Sequence, residues 1–196
     1  MPAERRPNRG PSAAAGNRAA LVAAARQVFA ANGYDAPLSM VAREAGVGQG
    51  SLYRHFPDRI SLALAVFEDS VSELEALAAV PGTTLDDVLA LITEQTIAST
   101  AFITMVSVPA RPDPRIIELR DRVAKVLEER LGEARRAGLV RADLTSDDLV
   151  LAVGMLAGVL SKVPASERVD KAERLWVLIR GGIDARPGDG PILRQI

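Results

Sequence analysis

The stretch from Val41 to Phe56, VAREAGVGQGSLYRHF, constrains the fold more than any other part of this 196-residue chain. It consists of two short segments with helical spacing of apolar residues, separated by the glycines Gly46 and Gly48. The second segment carries Leu52 and Phe56 four residues apart, so both point to one helix face and the other face is polar and basic. This arrangement is typical of a helix-turn-helix unit, whose second helix can enter the major groove of DNA.

The composition excludes several classes of protein. Aromatic residues make up 4% of the chain and no stretch alternates like a strand, which favours an all-α fold. The chain has no Cys, which excludes disulfides, thiolate metal sites and Cys nucleophiles. The start lacks the apolar core of a signal peptide, and the longest uncharged apolar run, between Asp148 and Lys162, is too short to cross a bilayer. We expect a soluble, cytoplasmic protein with no membrane partner, no metal and no cofactor.

Apolar spacing and capping residues predict about nine helices. They cover residues 17–32, 39–45, 49–55, 58–80, 85–100, 102–108, 114–137, 147–162 and 167–181, with Asn17, Asp58, Thr84, Asp113 and Ser146 as predicted caps. The expected organisation is a disordered basic arm over residues 1–16, a three-helix DNA-binding domain over 17–60, a larger helical domain over 61–186 and a frayed tail over 187–196.

Charge is distributed unevenly. Up to Ile60 there are eight Arg and four acidic residues, a balance of +4, whereas the remainder carries −5. A basic N-terminal third on an acidic body indicates a polyanionic partner for one part only. Chance variation of surface charge is the alternative explanation.

The outer face of the second short helix carries the candidate DNA-binding residues. With Leu52 and Phe56 inward, Gly50, Ser51 and Arg54 point outward, and Gln49 lies at the amino end where base edges are first met. Arg favours guanine and Gln favours adenine in the major groove. Tyr53 and His55 lie on the flanks of this face and suit phosphate contacts. Arg59, in the first turn of the next helix, can neutralise a phosphate.

Other interpretations of the same residues remain open. The unit could be a three-helix packing element with a solvated outer face. The glycines of GVGQG do not form a dinucleotide fingerprint, because Ser51 stands where its third glycine belongs and a helix precedes it. His55 is the only histidine, and a lone histidine is more often structural than catalytic.

Residues 17–68 resemble the DNA-binding domain of the TetR family of transcriptional regulators. The matching features are an Ala-rich first helix with Phe29 and Asn32-Gly33-Tyr34, then Val41-Ala42-Arg43-Glu44-Ala45-Gly46-Val47, Gly50-Ser51-Leu52-Tyr53-Arg54-His55-Phe56 and Arg59. Gly48 departs from the usual capping Ser, and Leu38 and Ser39 replace the usual Thr/Ser start of the first short helix.

The resemblance implies a homodimer that represses transcription from a palindromic operator and is released by a small-molecule effector. It implies no enzymatic activity. The DNA-binding residues carried over by motif position are Gln49, Gly50, Ser51, Tyr53, Arg54, His55, Arg59 and Ser39.

Two residue sets in the larger domain are weaker candidates. The resemblance places a ligand pocket near Phe67, Thr93, Thr96, Thr100, Phe102, Met105, Ile116, Arg120 and Val123, and a dimer interface near Leu151, Gly154, Met155, Gly158 and Trp176. Ordinary core packing is the alternative for each. Two other functions remain to be weighed, namely a helical binding protein that has lost DNA binding and a hydrolase or transferase.

Overall fold

The computed structural model describes residues 11–98 and 114–183. Within these ranges the chain forms eight α-helices and no β-strand, which confirms the predicted all-α fold. The helices are α1 (Pro11–Asn32), α2 (Leu38–Glu44), α3 (Gln49–His55), α4 (Arg59–Ala78), α5 (Leu85–Ala98), α6 (Pro114–Arg136), α7 (Ser146–Leu160) and α8 (Arg168–Ile183), with a single 3-10 turn at Ala165–Glu167 before α8. The helix predicted over 102–108 and its neighbouring cap Asp113 lie outside the described residues.

The chain divides into two compact units, Met1–Asp69 and Ser70–Ile196, and the division falls within α4. In the N-terminal unit, α1 packs against both α2 and α3. Its core buries most of the apolar positions expected from helical spacing, whereas Ala45, just after α2, is only half-buried. The buried positions are Leu21, Ala25, Val28, Phe29, Val41, Ala42, Leu52, Phe56, Leu62 and Val66. The spacing of these residues is therefore sufficient to explain how the short helices are held.

The C-terminal unit is built on a core shared by α5, α6 and α7. Val88, Leu127, Leu131 and Leu149 are fully buried there. A smaller cluster joins α7 to α8. Burying each such side chain contributes about 1.5–3 kcal/mol, so these contacts hold the helices together.

Two predicted helix starts are wrong. α1 begins at Pro11, so Asn17 lies inside the helix and residues 11–16 are helical rather than part of a disordered arm. Proline is favoured in the first helical turn, and the Ala run that follows is strongly helix-forming. The cap of α7 is Thr145 rather than Ser146, because Thr145 and Asp148 form a reciprocal capping box.

The other tested caps are confirmed. The Asp58 carboxylate accepts a 2.6 Å hydrogen bond from the backbone N–H of Ser61 at the start of α4. The Thr84 hydroxyl oxygen accepts from the Asp87 N–H at the start of α5, and the Asp87 carboxylate accepts from the Thr84 N–H at 2.8 Å. Each pairing satisfies backbone donors that a helix start leaves without a partner.

Candidate nucleic-acid interface

The turn between α2 and α3 is set by a glycine. Gly46 has a φ of +64°, a left-handed conformation that other residues adopt at a cost. The backbone N–H of Val47 then donates to the oxygen of Ala42 at 2.9 Å, which closes the end of α2. Gly48 caps α3 without any side-chain hydrogen bond, as expected for a residue that has no side chain.

α3 has one buried and one exposed face, as the sequence predicted. Leu52 and Phe56 are 1% and 2% exposed, and they anchor the helix on the core of the unit. On the opposite side, Tyr53 is 53% exposed. Of the remaining predicted DNA-binding residues of α3, Gln49, Gly50 and Arg54 are exposed, whereas Ser51 and His55 are half-buried.

The two predicted residues outside α3 differ in their surroundings. Ser39 is exposed near the start of α2. Arg59 is half-buried, and its Nη1 donates to the backbone oxygens of Tyr34 and Ala36, the second at 2.6 Å. Its guanidinium also lies 5.5 Å from the centroid of the Tyr34 ring, and burial raises the pKa of the Tyr34 hydroxyl. The side chain therefore has a structural task that the sequence did not indicate.

One basic residue at this surface was missed by the sequence analysis. The guanidinium carbon of Arg18 in α1 lies 5.4 Å from the centroid of the Phe56 ring, just after the end of α3. Arg18 is nevertheless exposed. The sequence does contain an indication of this contact. Arg18 precedes Leu21 and Ala25 by three and seven residues, so it lies on the same face of α1 as these two core residues.

The residues predicted for a ligand pocket differ in their surroundings. Thr100, Phe102 and Met105 lie outside the described residues. Arg120 is exposed and Ile116 is buried. Val123 is half-buried against the core of the C-terminal unit. Phe67 lies in the N-terminal unit and is half-buried.

The two predicted threonines that are described are already hydrogen-bonded. The hydroxyls of Thr93 and Thr96 each donate at 2.7 Å to the backbone oxygen four residues earlier in α5, Leu89 and Ile92. Thr93 also accepts a 2.7 Å hydrogen bond from the indole Nε1 of Trp176. Each hydroxyl has therefore used its one donor and keeps acceptor capacity.

The predicted dimer residues separate into two groups. Leu151, Gly154, Met155 and Gly158 share one exposed face of α7. Trp176 on α8 is instead half-buried against both core clusters of the C-terminal unit. Two further apolar residues on α8, which the sequence did not indicate, are each 75% exposed, namely Val177 and Leu178.

The described residues form neither a metal-binding cluster nor a membrane-spanning helix. No group of His and carboxylate side chains in residues 11–98 and 114–183 could hold a metal ion. None of the helices in these ranges is long and apolar enough to cross a membrane.

The N-terminal helices match a known family model. Residues 21–66 match the family described as bacterial regulatory proteins, tetR family. This range contains α2, α3 and the first part of α4. No curated protein matches the chain.

Solved structures extend the match over most of the chain. A TetR transcriptional regulator from Streptomyces coelicolor is 30% identical, with a TM-score of 0.61 and coverage of 85% of this chain and 98% of that chain. The TetR transcription regulatory protein from Mycobacterium vanbaalenii is 28% identical, with a TM-score of 0.56 and coverage of 88% and 98%. CprB from Streptomyces coelicolor, solved in complex with its biological operator sequence, is 24% identical, with a TM-score of 0.61 and coverage of 89% and 92%, and shows a shared fold.

The similarity reaches beyond the helix-turn-helix. The matched residues 21–66 lie entirely in the N-terminal unit, whereas the 30% identical regulator is covered over 98% of its length. The chain belongs to the TetR family of bacterial transcriptional regulators, and its N-terminal unit contains the helix-turn-helix DNA-binding domain of that family.

Proposed function

We propose that the protein is a homodimeric repressor that binds a palindromic operator through α3 and is released by a small-molecule effector. The observation that carries this proposal is the two-sided character of α3. Leu52 and Phe56 fix the helix to the core, and polar side chains project from the other side. A rigidly held helix with an exposed polar face is what major-groove recognition requires.

The proposed roles follow from side-chain chemistry. Gln49 and Arg54 are exposed and suit bidentate contacts to adenine and guanine. Ser51 can contact either base, and Gly50 lets the backbone approach the DNA closely. Tyr53, His55, Arg59 and Ser39 are proposed phosphate contacts, which position the protein without reading sequence.

Dimerisation is proposed through the exposed apolar face of α7 and α8. We define this dimer face by Leu151, Gly154, Met155, Gly158, Val177 and Leu178. A monomer gains nothing from exposing these apolar side chains together, whereas a second copy would bury them. Gly154 and Gly158 have nothing within 4 Å of an added Cβ, so the space above α7 is open to a partner helix.

The two-fold symmetry of such a dimer explains why the proposed operator is palindromic. Two copies of α3 would enter successive major grooves about 34–36 Å apart. CprB, a fold relative, was solved with its operator. We propose the same class of DNA partner for this chain.

Binding rather than catalysis is proposed as the activity of the chain. His55, the only histidine, lies on α3 beside Arg54 and Phe56. Within the described ranges no cluster of potential metal ligands accompanies it. The effector is proposed to act on the C-terminal unit, and its chemical class is left to a ligand screen.

Selection of bound DNA from a random duplex library by the purified protein tests the proposal. We expect an inverted repeat in the selected sequences. Gln49→Ala and Arg54→Ala should each relax the preference at particular base pairs by about 1–3 kcal/mol. The matched controls Gln27→Ala and Arg136→Ala replace exposed residues of α1 and α6 and should leave the selected sequence unchanged.

The same experiment separates the alternatives. A folded dimer with no salt-sensitive affinity for duplex DNA would indicate a binding protein that has lost DNA recognition. If the α3 variants and their controls select the same sequences, α3 is not the element that recognises the bases. Effectors are then sought by screening small molecules for release of the selected duplex.

A further inference from the structure

The guanidinium of Arg18 lies at the carboxy end of α3. Its central carbon is 5.4 Å from the centroid of the Phe56 ring, and Phe56 directly follows His55, the last residue of the helix. Phe56 is 2% exposed, whereas Arg18 is exposed. Arg18 is therefore held against the core of the N-terminal unit and remains accessible from solvent. Stacking on an aromatic ring restricts a side chain that is otherwise mobile.

Arg18 has no acidic partner among the described residues. Neither a hydrogen bond nor an ion pair joins its guanidinium to the part of the chain that the structure describes. Two other arginines of the same unit are occupied, since Arg26 pairs with Asp69 at 2.7 Å and Arg59 donates to two backbone oxygens. A guanidinium is always charged and carries five N–H donors, so Arg18 keeps its charge and its donors for an external anion.

The length of α3 places this cation at the height of the DNA backbone in the proposed complex. α3 has seven residues, which corresponds to about 10 Å along its axis. The major groove is about 8.5 Å deep and about 12 Å wide, and the phosphates run along its edges. When Gln49 at the amino end of α3 reaches the base edges, the carboxy end of the helix lies at the edge of the groove. Arg18 stacks on Phe56 at that end.

We infer that Arg18 binds a backbone phosphate of duplex DNA at the edge of the groove that α3 enters. This inference rests on the proposed function, since it adds a contact to the same complex. A guanidinium on a phosphate oxygen neutralises one charge and reads no base, so Arg18 adds affinity for any duplex. An extended polyanion suits this position better than a small anion, because the exposed Arg54 precedes Phe56 by two residues.

Salt titration of duplex binding by the full chain tests the inference. Arg18→Gln removes the charge, and Arg18→Lys keeps it without the planar guanidinium. Arg136→Gln, which removes an exposed charge from α6, is the matched control. Each protein is titrated with the selected duplex and with a scrambled duplex between about 50 and 200 mM salt. Melting temperatures are measured in parallel.

We expect Arg18→Gln to reduce the slope of log affinity against log salt by about one for each bound subunit. Over this roughly four-fold range of salt, the loss of affinity should then be about 3.5-fold smaller per subunit than for the wild type. Both duplexes should show the same reduction, because a phosphate contact carries no base preference. Arg18→Lys and the α6 control should keep the wild-type slope.

Four results would overturn the inference. A wild-type slope in Arg18→Gln, with or without a lower melting temperature, would make Arg18 a packing residue for Phe56 only. A slope reduced equally in Arg18→Lys would exclude the charge as the cause. A loss of affinity confined to the selected duplex would show that Arg18 acts on base recognition by positioning α3. An equal reduction in Arg136→Gln would indicate a general effect of net charge.

These outcomes are distinguishable from a failure of the proposed function. In each of the four cases, strong salt-sensitive binding of the selected duplex by the wild type would leave the proposed function standing. Its absence would refute the proposed function itself, and the inference about Arg18 with it.

Discussion

Arg59, the first residue of α4, donates a 2.6 Å hydrogen bond from Nη1 to the backbone oxygen of Ala36. The same nitrogen donates to the backbone oxygen of Tyr34, so one edge of the guanidinium holds the turn between α1 and α2. Nε and Nη2 carry the other three N–H donors of the guanidinium. Arg59 can therefore stabilise the domain with one edge and offer the other to a phosphate.

Replacing Arg59 separates these two roles. Arg59→Ala should lower the free energy of unfolding by about 1–3 kcal/mol, because two half-buried carbonyl groups lose their donor. It should also reduce the salt slope of duplex binding by about one if the other edge contacts a phosphate. Urea denaturation and salt titration measure the two effects. Unchanged stability would contradict the structural role, and an unchanged slope would contradict the phosphate contact.

The hydrogen bond from Trp176 to Thr93 is expected to couple α8 to α5. Trp176→Phe and Thr93→Val should show a coupling of about 0.5–1.5 kcal/mol in a double-mutant cycle. The cycle cancels the separate loss of the Thr93 bond to Leu89. Unfolding is followed by circular dichroism, since Trp176 is the only tryptophan and its fluorescence disappears in one variant. If the losses in free energy of unfolding of the two single variants simply add in the double variant, the hydrogen bond does not couple the two helices.

Substitutions at the neighbouring residues Thr145 and Ser146, at the start of α7, should differ in their effect on stability. Thr145→Ala should destabilise the protein by about 1 kcal/mol, because it removes the hydroxyl that accepts from the Asp148 N–H. Ser146→Ala, one position later, should cost clearly less, since Ser146 is already inside the helix and its side chain hydrogen-bonds only the exposed carboxylate of Glu128. Thermal unfolding of both variants provides the comparison, and a larger effect at Ser146 would restore the cap that the sequence predicted.

Acid should weaken the contact between α4 and α6. Arg122 donates to both carboxylate oxygens of Glu75, at 2.8 and 2.6 Å, and this hydrogen bonding lowers the pKa of Glu75. A carboxyl whose pKa is lower in the folded state stabilises the fold above its unfolded pKa of about 4.3 and loses that contribution as pH falls.

Melting temperatures between pH 7 and pH 3 measure this contribution of Glu75. The difference between wild type and Glu75→Gln should be largest at pH 7 and should shrink below about pH 4. Glu129→Gln, an exposed position on α6, is the matched control. A difference that does not change with pH would exclude a role for the charge of Glu75.

A charged substitution on the dimer face should change the mass of the protein in solution without changing the fold of the subunit. Met155→Glu should convert dimers to monomers, because a charge would be buried between two apolar faces. Leu139→Glu places the same charge at an exposed apolar residue outside the face and should leave the dimer intact. Light scattering after size exclusion reports the mass, and a dimeric Met155→Glu variant with native circular dichroism would place the interface elsewhere.

The features predicted correctly are those that depend on near neighbours in sequence. The inward positions of Leu52 and Phe56 follow from helical spacing, and the caps Asp58 and Thr84 each bond within three residues. The two wrong helix starts also concern residues that are close in sequence. α1 begins at Pro11, a residue type favoured in the first helical turn. At α7 two adjacent residues could each serve as the cap, and the pairing of Thr145 with Asp148 decides between them.

The residues alone determined the helical fold and the exposed polar face of α3, because side chains one or two turns apart decide which side of a helix is buried. Tertiary structure alone decided what Arg59, Trp176 and Arg18 touch. Arg59 and Ala36 are 23 residues apart, and Trp176 and Thr93 are 83 apart. Such pairs meet only after the helices have packed, so no local pattern in the sequence specifies them.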